Sequence, residues 1–233
     1  PSAEEIAPFV MESIRLIRRE VEGKQAIIGI AGAPFTLACY MIEGHPSRDY
    51  HTARAMMYGQ PALWHALMEK ITQVIADYLV AQVRAGVDAV QLFDSWVGML
   101  SPAVYRRFAQ SYTRRVFEAV KQTGVPTIHF GTHTAALLEA MVEAGGDIIS
   151  VDWRVNLDEA WQRIGYTRGI QGNLDPALML TEWPVIEAGM RDIVRRAANR
   201  PGHIFNFGHA VAKDADPGLL RRLVDAVHEA TVR

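Results

Sequence analysis

Six short apolar runs, each followed by a longer amphipathic stretch, constrain this chain more than any other feature. They are Ala26 to Ile30, Asp88 to Phe93, Pro126 to Phe130, Asp147 to Val151, Arg168 to Gln171 and His203 to Phe207. Runs this brief suit a buried strand and are too short for a helix. The stretches between them have helical spacing and helix-start signals. Ser2 with Glu5 and Asn156 with Glu159 read as capping boxes, and Ser101-Pro102, Asp175-Pro176 and Asp216-Pro217 read as a cap followed by proline. The longest predicted helix runs from about Pro61 to Ala85. The last, from about Pro217, puts Leu220, Leu223, Val224 and Val227 on one stripe. Strands joined through helices make right-handed βαβ units, so the alternation predicts a parallel sheet covered by helices. No linker, low-complexity stretch or internal repeat interrupts it, and residues 1–233 read as a single domain.

Composition narrows the function. With 49% hydrophobic and 21% charged residues and a net charge of -2, the 233-residue chain has a globular profile and ample length for a core. No basic block interleaved with aromatics points to nucleic acid, and no stretch is apolar enough to span a bilayer. The single cysteine, Cys39, excludes an intrachain disulfide and a thiolate-rich zinc site and suits a reducing, cytoplasmic compartment.

Two parallel architectures fit, a doubly wound open sheet and a (β/α)8 barrel. No Gly-x-Gly-x-x-Gly follows the first run and no P-loop occurs, which weakens the nucleotide-binding open sheet. Polar residues favour the barrel, because they gather at the carboxyl ends of the runs. Asp94-Ser95, Gly131-Thr132-His133, Asp152-Trp153-Arg154, Gly172-Asn173 and Gly208-His209 all stand there, where a βα barrel carries its active site. The first run continues as GIAGAPFTLACYMIEG, in which Pro34 can open a helix. Thr36, Tyr40 and Glu43 then share one face, and Leu37, Ala38, Met41 and Ile42 the buried one. At this level Tyr40 either covers the core or faces the strand ends. Six runs also fall short of the eight strands that a closed barrel needs.

The blocks AGAPFTLACYMIEG, QLFDSW with its following LSP, IHFGTHT, DIISVDWRVNLDEAW, GIQGNLDP and GHIFNFGH occur in an order that resembles the uroporphyrinogen decarboxylase family along essentially the whole chain. The resemblance implies an incomplete (β/α)8 barrel, with about six of its eight strands in this chain. It also implies decarboxylation of the four acetate side chains of uroporphyrinogen III to coproporphyrinogen III. No cofactor or metal is implied, the partner is the small-molecule porphyrinogen, and members are commonly homodimers. Members carry a catalytic aspartate and an arginine-rich stretch upstream of the matching region, so no catalytic residue is expected within these 233 residues and the chain alone is expected to be inactive.

Three positions match residues with which the family holds the macrocycle. Tyr40 is the cleft tyrosine, whose hydroxyl can donate to a substrate carboxylate; Ser95 can hydrogen-bond a propionate or acetate; His209 can donate to a carboxylate at the cleft floor. Phe93 matches an apolar cleft residue. Arg154 reads as structural, with Asp152 and Asp158 as available partners, and Asp175 as a helix cap beside the strand-end Asn173. His129 and His133 have a spacing reminiscent of metal ligands, but no set of donors completes them. The sequence also departs from the family. His45 and His133 stand where glycine is usual, and Cys39 where serine is common. Ala210 and Lys213 replace a glycine and a proline, which is expected to strain a positive-φ position at Ala210 and shift His209. The alternatives are a corrinoid- or thiol-directed methyltransferase on the same barrel, whose zinc ligands would include a histidine-x-cysteine pair and a distant cysteine, and a non-catalytic fragment.

Overall fold

Each apolar run becomes a strand, with its ends moved by what the neighbouring elements bury. In the computed structural model, which describes residues 2–21 and 23–231, the strands are β1 (Ile28–Gly32), β2 (Ala89–Asp94), β3 (Thr127–Gly131), β4 (Ile148–Ser150), β5 (Gly169–Gln171) and β6 (His203–Ile204). All neighbours pair in parallel in the order β1-β2-β3-β4-β5-β6, with helical connections between them. Sequential parallel order is barrel topology. The barrel is not closed: β1 and β6 form the two edges of the described sheet.

The run expected to end at Ile30 extends to Gly32, and β2 includes Asp94 because that side chain turns outward to the helices. The last run is shorter than predicted. Beyond Ile204 only an isolated bridge between Leu174 and Phe207 continues the ladder. Along the strands Gln91, Phe93 and Phe130 face inward to a cavity, while Asp94 and His129 meet helix residues Thr36 and Phe117. At the β1 edge the inward positions Ile28 and Ile30 remain 43% and 54% exposed. The backbone of that edge is partly satisfied by the buried Gln82, whose amide pairs with both the N–H and the carbonyl of Ile30 at 3.0 and 2.9 Å. Such pairing blunts an otherwise open strand edge.

The helix Pro61–Ala85 buries Trp64, Met68, Ile71, Ile75 and Leu79, one stripe at spacings of three and four. Each of these side chains contributes roughly 1.5–3 kcal/mol of burial. Trp64 also donates to the Phe108 carbonyl at 3.0 Å, which leaves its indole fully satisfied. The predicted caps are present at Ser2, Ser101 and Asp175, and Asp216 accepts from the Gly218 N–H. Asn156 differs: its side chain bonds Glu159 directly at 2.8 Å and caps no backbone N–H, so the capping box there is not formed. Val224, predicted on the stripe of the helix Pro217–Thr231, is instead 47% exposed. Leu223 is the residue of that helix that is fully buried, where the helix packs against the helix Trp183–Ala197.

Candidate functional site

The carboxyl ends of the strands carry the site. Directly after β1, Ala33 and Pro34 open the helix Pro34–Glu43, and Gly44 at φ 73° closes it in the left-handed conformation that glycine supplies without strain. The rotation of this helix is set by Thr36. Its hydroxyl donates to Asp94 Oδ1 at 3.1 Å and accepts from the Trp96 N–H at 3.3 Å. Phe35, Ala38 and Cys39 are thereby fully buried, Tyr40 stays 38% exposed, and Met41, predicted on the buried face, is 63% exposed. Burial pushes the Cys39 thiol well above its ordinary pKa, with Asp94 and Glu43 adding to the effect. Glu43 accepts from the Thr52 N–H at 2.8 Å and so fastens the next helix.

Tyr40, Ser95 and His209, expected from three distant blocks, line one cavity of about 430 Å3. Its walls are aromatic. Phe93 meets Phe130 edge-on at 5.4 Å, Phe130 lies 6.1 Å from the His209 ring, and Tyr40 stands nearly perpendicular to Trp96 at 6.1 Å. Behind Tyr40 sits the fully buried Tyr50, whose phenol is pushed up to about 12 by burial, with Tyr40 contributing. Gln91 closes the floor and accepts from Gln171 Nε2 at 3.0 Å, an amide that also donates to Ser150 Oγ at 2.9 Å. The cavity thus pairs flat apolar walls with a phenol, an alcohol and an imidazole, which suits a large ligand with flat aromatic rings and anionic edges.

His209 stands on a tightly fitted turn. A Cβ on the preceding Gly208 would lie 2.5 Å from the Trp153 backbone nitrogen, so that position has room only for glycine. The strain expected at Ala210 is absent, since its φ is not positive. Among the residues standing where the family usually has glycine, His133 is the one in the left-handed region, at φ 57°. The structural readings divide as follows. Arg154 pairs with Asp152 at 2.7 Å and stacks over Trp153, whereas Asp158 pairs instead with Arg196 at 2.8 Å. Asn173 holds two rim carbonyls, those of Asp152 and Val155, at 2.9 and 2.7 Å. His129 is fully buried against Phe117, its Nε2 3.8 Å from Asp94 Oδ2, and points away from the exposed His133. Among the described residues no group of three or more histidine, cysteine, aspartate or glutamate side chains could hold a metal ion, and no helix is long and apolar enough to cross a membrane.

Sequence reasoning missed Gln91, Trp96, Phe130, Asn206 and Phe207 as lining residues. Gln91 had a signal, a polar residue alone inside an apolar strand. Trp96 had none, because an aromatic beside a turn reads equally well as core.

A family model described as uroporphyrinogen decarboxylase (URO-D) matches residues 1–230. A uroporphyrinogen decarboxylase of Salinispora tropica is 50% identical over 233 residues, covering 100% of this chain and 62% of that protein. One of Carboxydothermus hydrogenoformans is 47% identical over 226 residues, covering 97% of this chain and 65% of the relative. The chain therefore spans a little under two thirds of the length of these relatives. Among solved structures, a methyltransferase from Methanosarcina mazei superposes with a TM-score of 0.83 at 20% identity over 97% of this chain and 65% of that one. A B12-independent methionine synthase from Shewanella sp. W3-18-1 superposes with a TM-score of 0.63 at 14% identity over 95% of this chain and 64% of that one. At such identities the likeness concerns the fold alone.

Proposed function

The chain belongs to the uroporphyrinogen decarboxylase family, and on that premise we propose that it forms the substrate-holding part of an enzyme that decarboxylates the four acetate arms of uroporphyrinogen III to give coproporphyrinogen III. The observation that carries the reading is the gathering of Tyr40, Ser95 and His209 around one aromatic-walled cavity at the strand ends. A pyrrole can serve as its own electron sink. Protonation of a ring carbon makes a cation, the acetate loses carbon dioxide into it, a second proton completes the methyl group, and loss of the first proton from the ring carbon restores the aromatic pyrrole. The reaction therefore calls for a carboxylate facing the pyrrole nitrogens, a proton donor at the acetate, and donors for the remaining carboxylates.

The lining supports the last of these roles. Tyr40, Ser95 and His209 can donate into the cavity, while Phe93 and Phe130 pack against the macrocycle. Among the described residues no acidic and no arginine side chain lines this cavity. We accordingly infer that the carboxylate and the arginines of the reaction come from elsewhere in the protein, and that these 233 residues alone turn over little or no substrate. One continuous sheet supports reading 1–233 as one domain. The homodimer and the cytoplasmic setting that the family resemblance and the single buried cysteine imply belong to the same proposal.

The test is turnover of uroporphyrinogen by the chain and by a catalytically complete protein that contains it. In the latter, Tyr40→Phe is expected to slow turnover by about ten- to a hundredfold, the worth of one hydrogen bond to a charged group. An unchanged rate would reduce Tyr40 to packing, and full-rate turnover by the chain alone would refute the inactivity.

A further inference from the structure

A second cavity, of about 490 Å3, lies on the other side of the Ser95-Trp96 turn and shares that turn as a wall. Its remaining walls include Ser47, Arg48 and Asp49 on one side and Thr132 and His133 on the other. This cavity plays no part in the reading above, yet its walls are firmly constructed. Gly98 packs so closely that a Cβ there would meet the Thr132 carbonyl at 2.1 Å. The Thr132 hydroxyl donates to the Ser95 carbonyl, and the His133 N–H donates to Asp152 Oδ2 at 2.7 Å, so the turns after β2, β3 and β4 are tied in series. Opposite, the Ser47 hydroxyl accepts from the Tyr50 N–H at 3.1 Å, and the buried Tyr50 ring lies 5.2 Å from Trp96.

Two non-glycine residues at or beside this cavity, Tyr50 at φ 44° and His133 at φ 57°, are held in the left-handed region. Such conformations persist only where the surroundings impose them. The charges are also unspent. Arg48 is exposed and makes no hydrogen bond or ion pair among the described residues, whereas Asp152 is already engaged by Arg154. Ser47 accepts through its oxygen and keeps its proton available. The cavity therefore offers a guanidinium, an imidazole and a hydroxyl. Asp49 in the same wall keeps the net charge low, which suits a carboxylate better than a doubly charged phosphate.

We propose that this cavity is a carboxylate subsite, in which Arg48 and His133 hold a carboxylate arm of the ligand that reaches across the Ser95-Trp96 turn from the Tyr40 cavity. The proposal rests on the reading of that cavity as a porphyrinogen site and assigns two further residues to it. His133 occupies a left-handed position that a glycine would fill without strain.

The experiment is a fluorescence titration of a catalytically complete protein that contains this chain with an octacarboxylate porphyrin, at several salt concentrations, for wild type, Tyr40→Phe, Arg48→Gln, Arg48→Lys and His133→Gly. Arg48→Gln is expected to weaken binding about tenfold and to make its salt dependence shallower, as loss of one charge-assisted contact requires. Arg48→Lys should restore part of both. His133→Gly should weaken binding while leaving thermal stability equal or higher, because glycine suits φ 57°. That separation of binding from stability is something a purely structural role would not produce. If Tyr40→Phe weakens binding and the Arg48 and His133 variants bind like wild type, the subsite is wrong and the main cavity stands. If wild type fails to bind the porphyrin, both fall together.

Discussion

Replacing Thr36 with valine removes one hydroxyl and leaves the volume nearly unchanged, which makes it a direct test of what orients the Tyr40 helix. Thr36 is 3% exposed and Asp94 0%, and the 3.1 Å bond between them is, among the described residues, the one hydrogen bond that Asp94 Oδ1 accepts. The other oxygen, Oδ2, is buried without a hydrogen-bond partner and lies 3.8 Å from His129 Nε2. Valine would leave this carboxyl group with no donor, at a cost of about 2 kcal/mol for a hydrogen bond to a charged group. For a chain of this size that corresponds to a fall in Tm of about 4–8 °C. Thr36→Ser keeps the hydroxyl and loses a methyl group, a cost of about 1 kcal/mol. The polar interaction therefore predicts that valine is worse than serine, whereas apolar burial alone predicts the reverse order. Urea unfolding of the two variants decides between them. A double-mutant cycle with Asp94→Asn should show a coupling of about 1 kcal/mol between the two side chains. If Thr36→Val is as stable as Thr36→Ser, or more so, the account of the helix rotation fails. Because Tyr40 lies one turn further along, the same substitution should also broaden the environment of Trp96, visible in its fluorescence.

Glycine substitutions should divide by local space: Gly98→Ala, with its Cβ 2.1 Å from a carbonyl oxygen, should cost about 2 kcal/mol or more, and Gly59→Ala, with nothing within 4 Å at a helix end, should gain about 0.5–1 kcal/mol. Equal effects in thermal melts would refute the packing argument. The Arg106 guanidinium, followed by the Gln110 amide, holds the Glu143 carboxyl at about 2 against an ordinary 4.5. A depressed carboxyl pKa contributes stability that is present above 4.5 and lost as pH falls toward 2, so the stability gap between wild type and Glu143→Gln should be widest near neutrality and close across that window. A gap independent of pH would count against the pairing. Cys39, fully buried with its thiol pKa raised, should resist a thiol reagent in the native chain and react fully in denaturant. Rapid native-state labelling would contradict its position in the core.

What the sequence determined by itself were the properties that depend on near neighbours in the chain. Alternating runs placed all six strands and predicted that they pair in parallel, and Ser2, Ser101 and Asp175 cap where their spacing says they must. The resemblance of the ordered blocks to the family brought Tyr40, Ser95 and His209 forward as a set, and the strand ends gather them around one cavity. Tertiary structure decided what depends on contacts between distant segments. Met41 is exposed because Thr36 turns its helix toward Asp94, 58 residues away, and helical spacing cannot register that bond. Asn156 meets Glu159 rather than the helix backbone, and Asp158 meets Arg196 rather than Arg154, since a polar side chain takes whichever partner the packing brings within reach. Ala210 keeps an ordinary φ and His133 does not, because positive φ follows from how a turn is tied to its neighbours and not from which residue a family usually places there. Gln91 became a cavity wall because the pairing of β2 with its neighbours fixes which face of the strand looks inward, and a single chain segment does not contain that information.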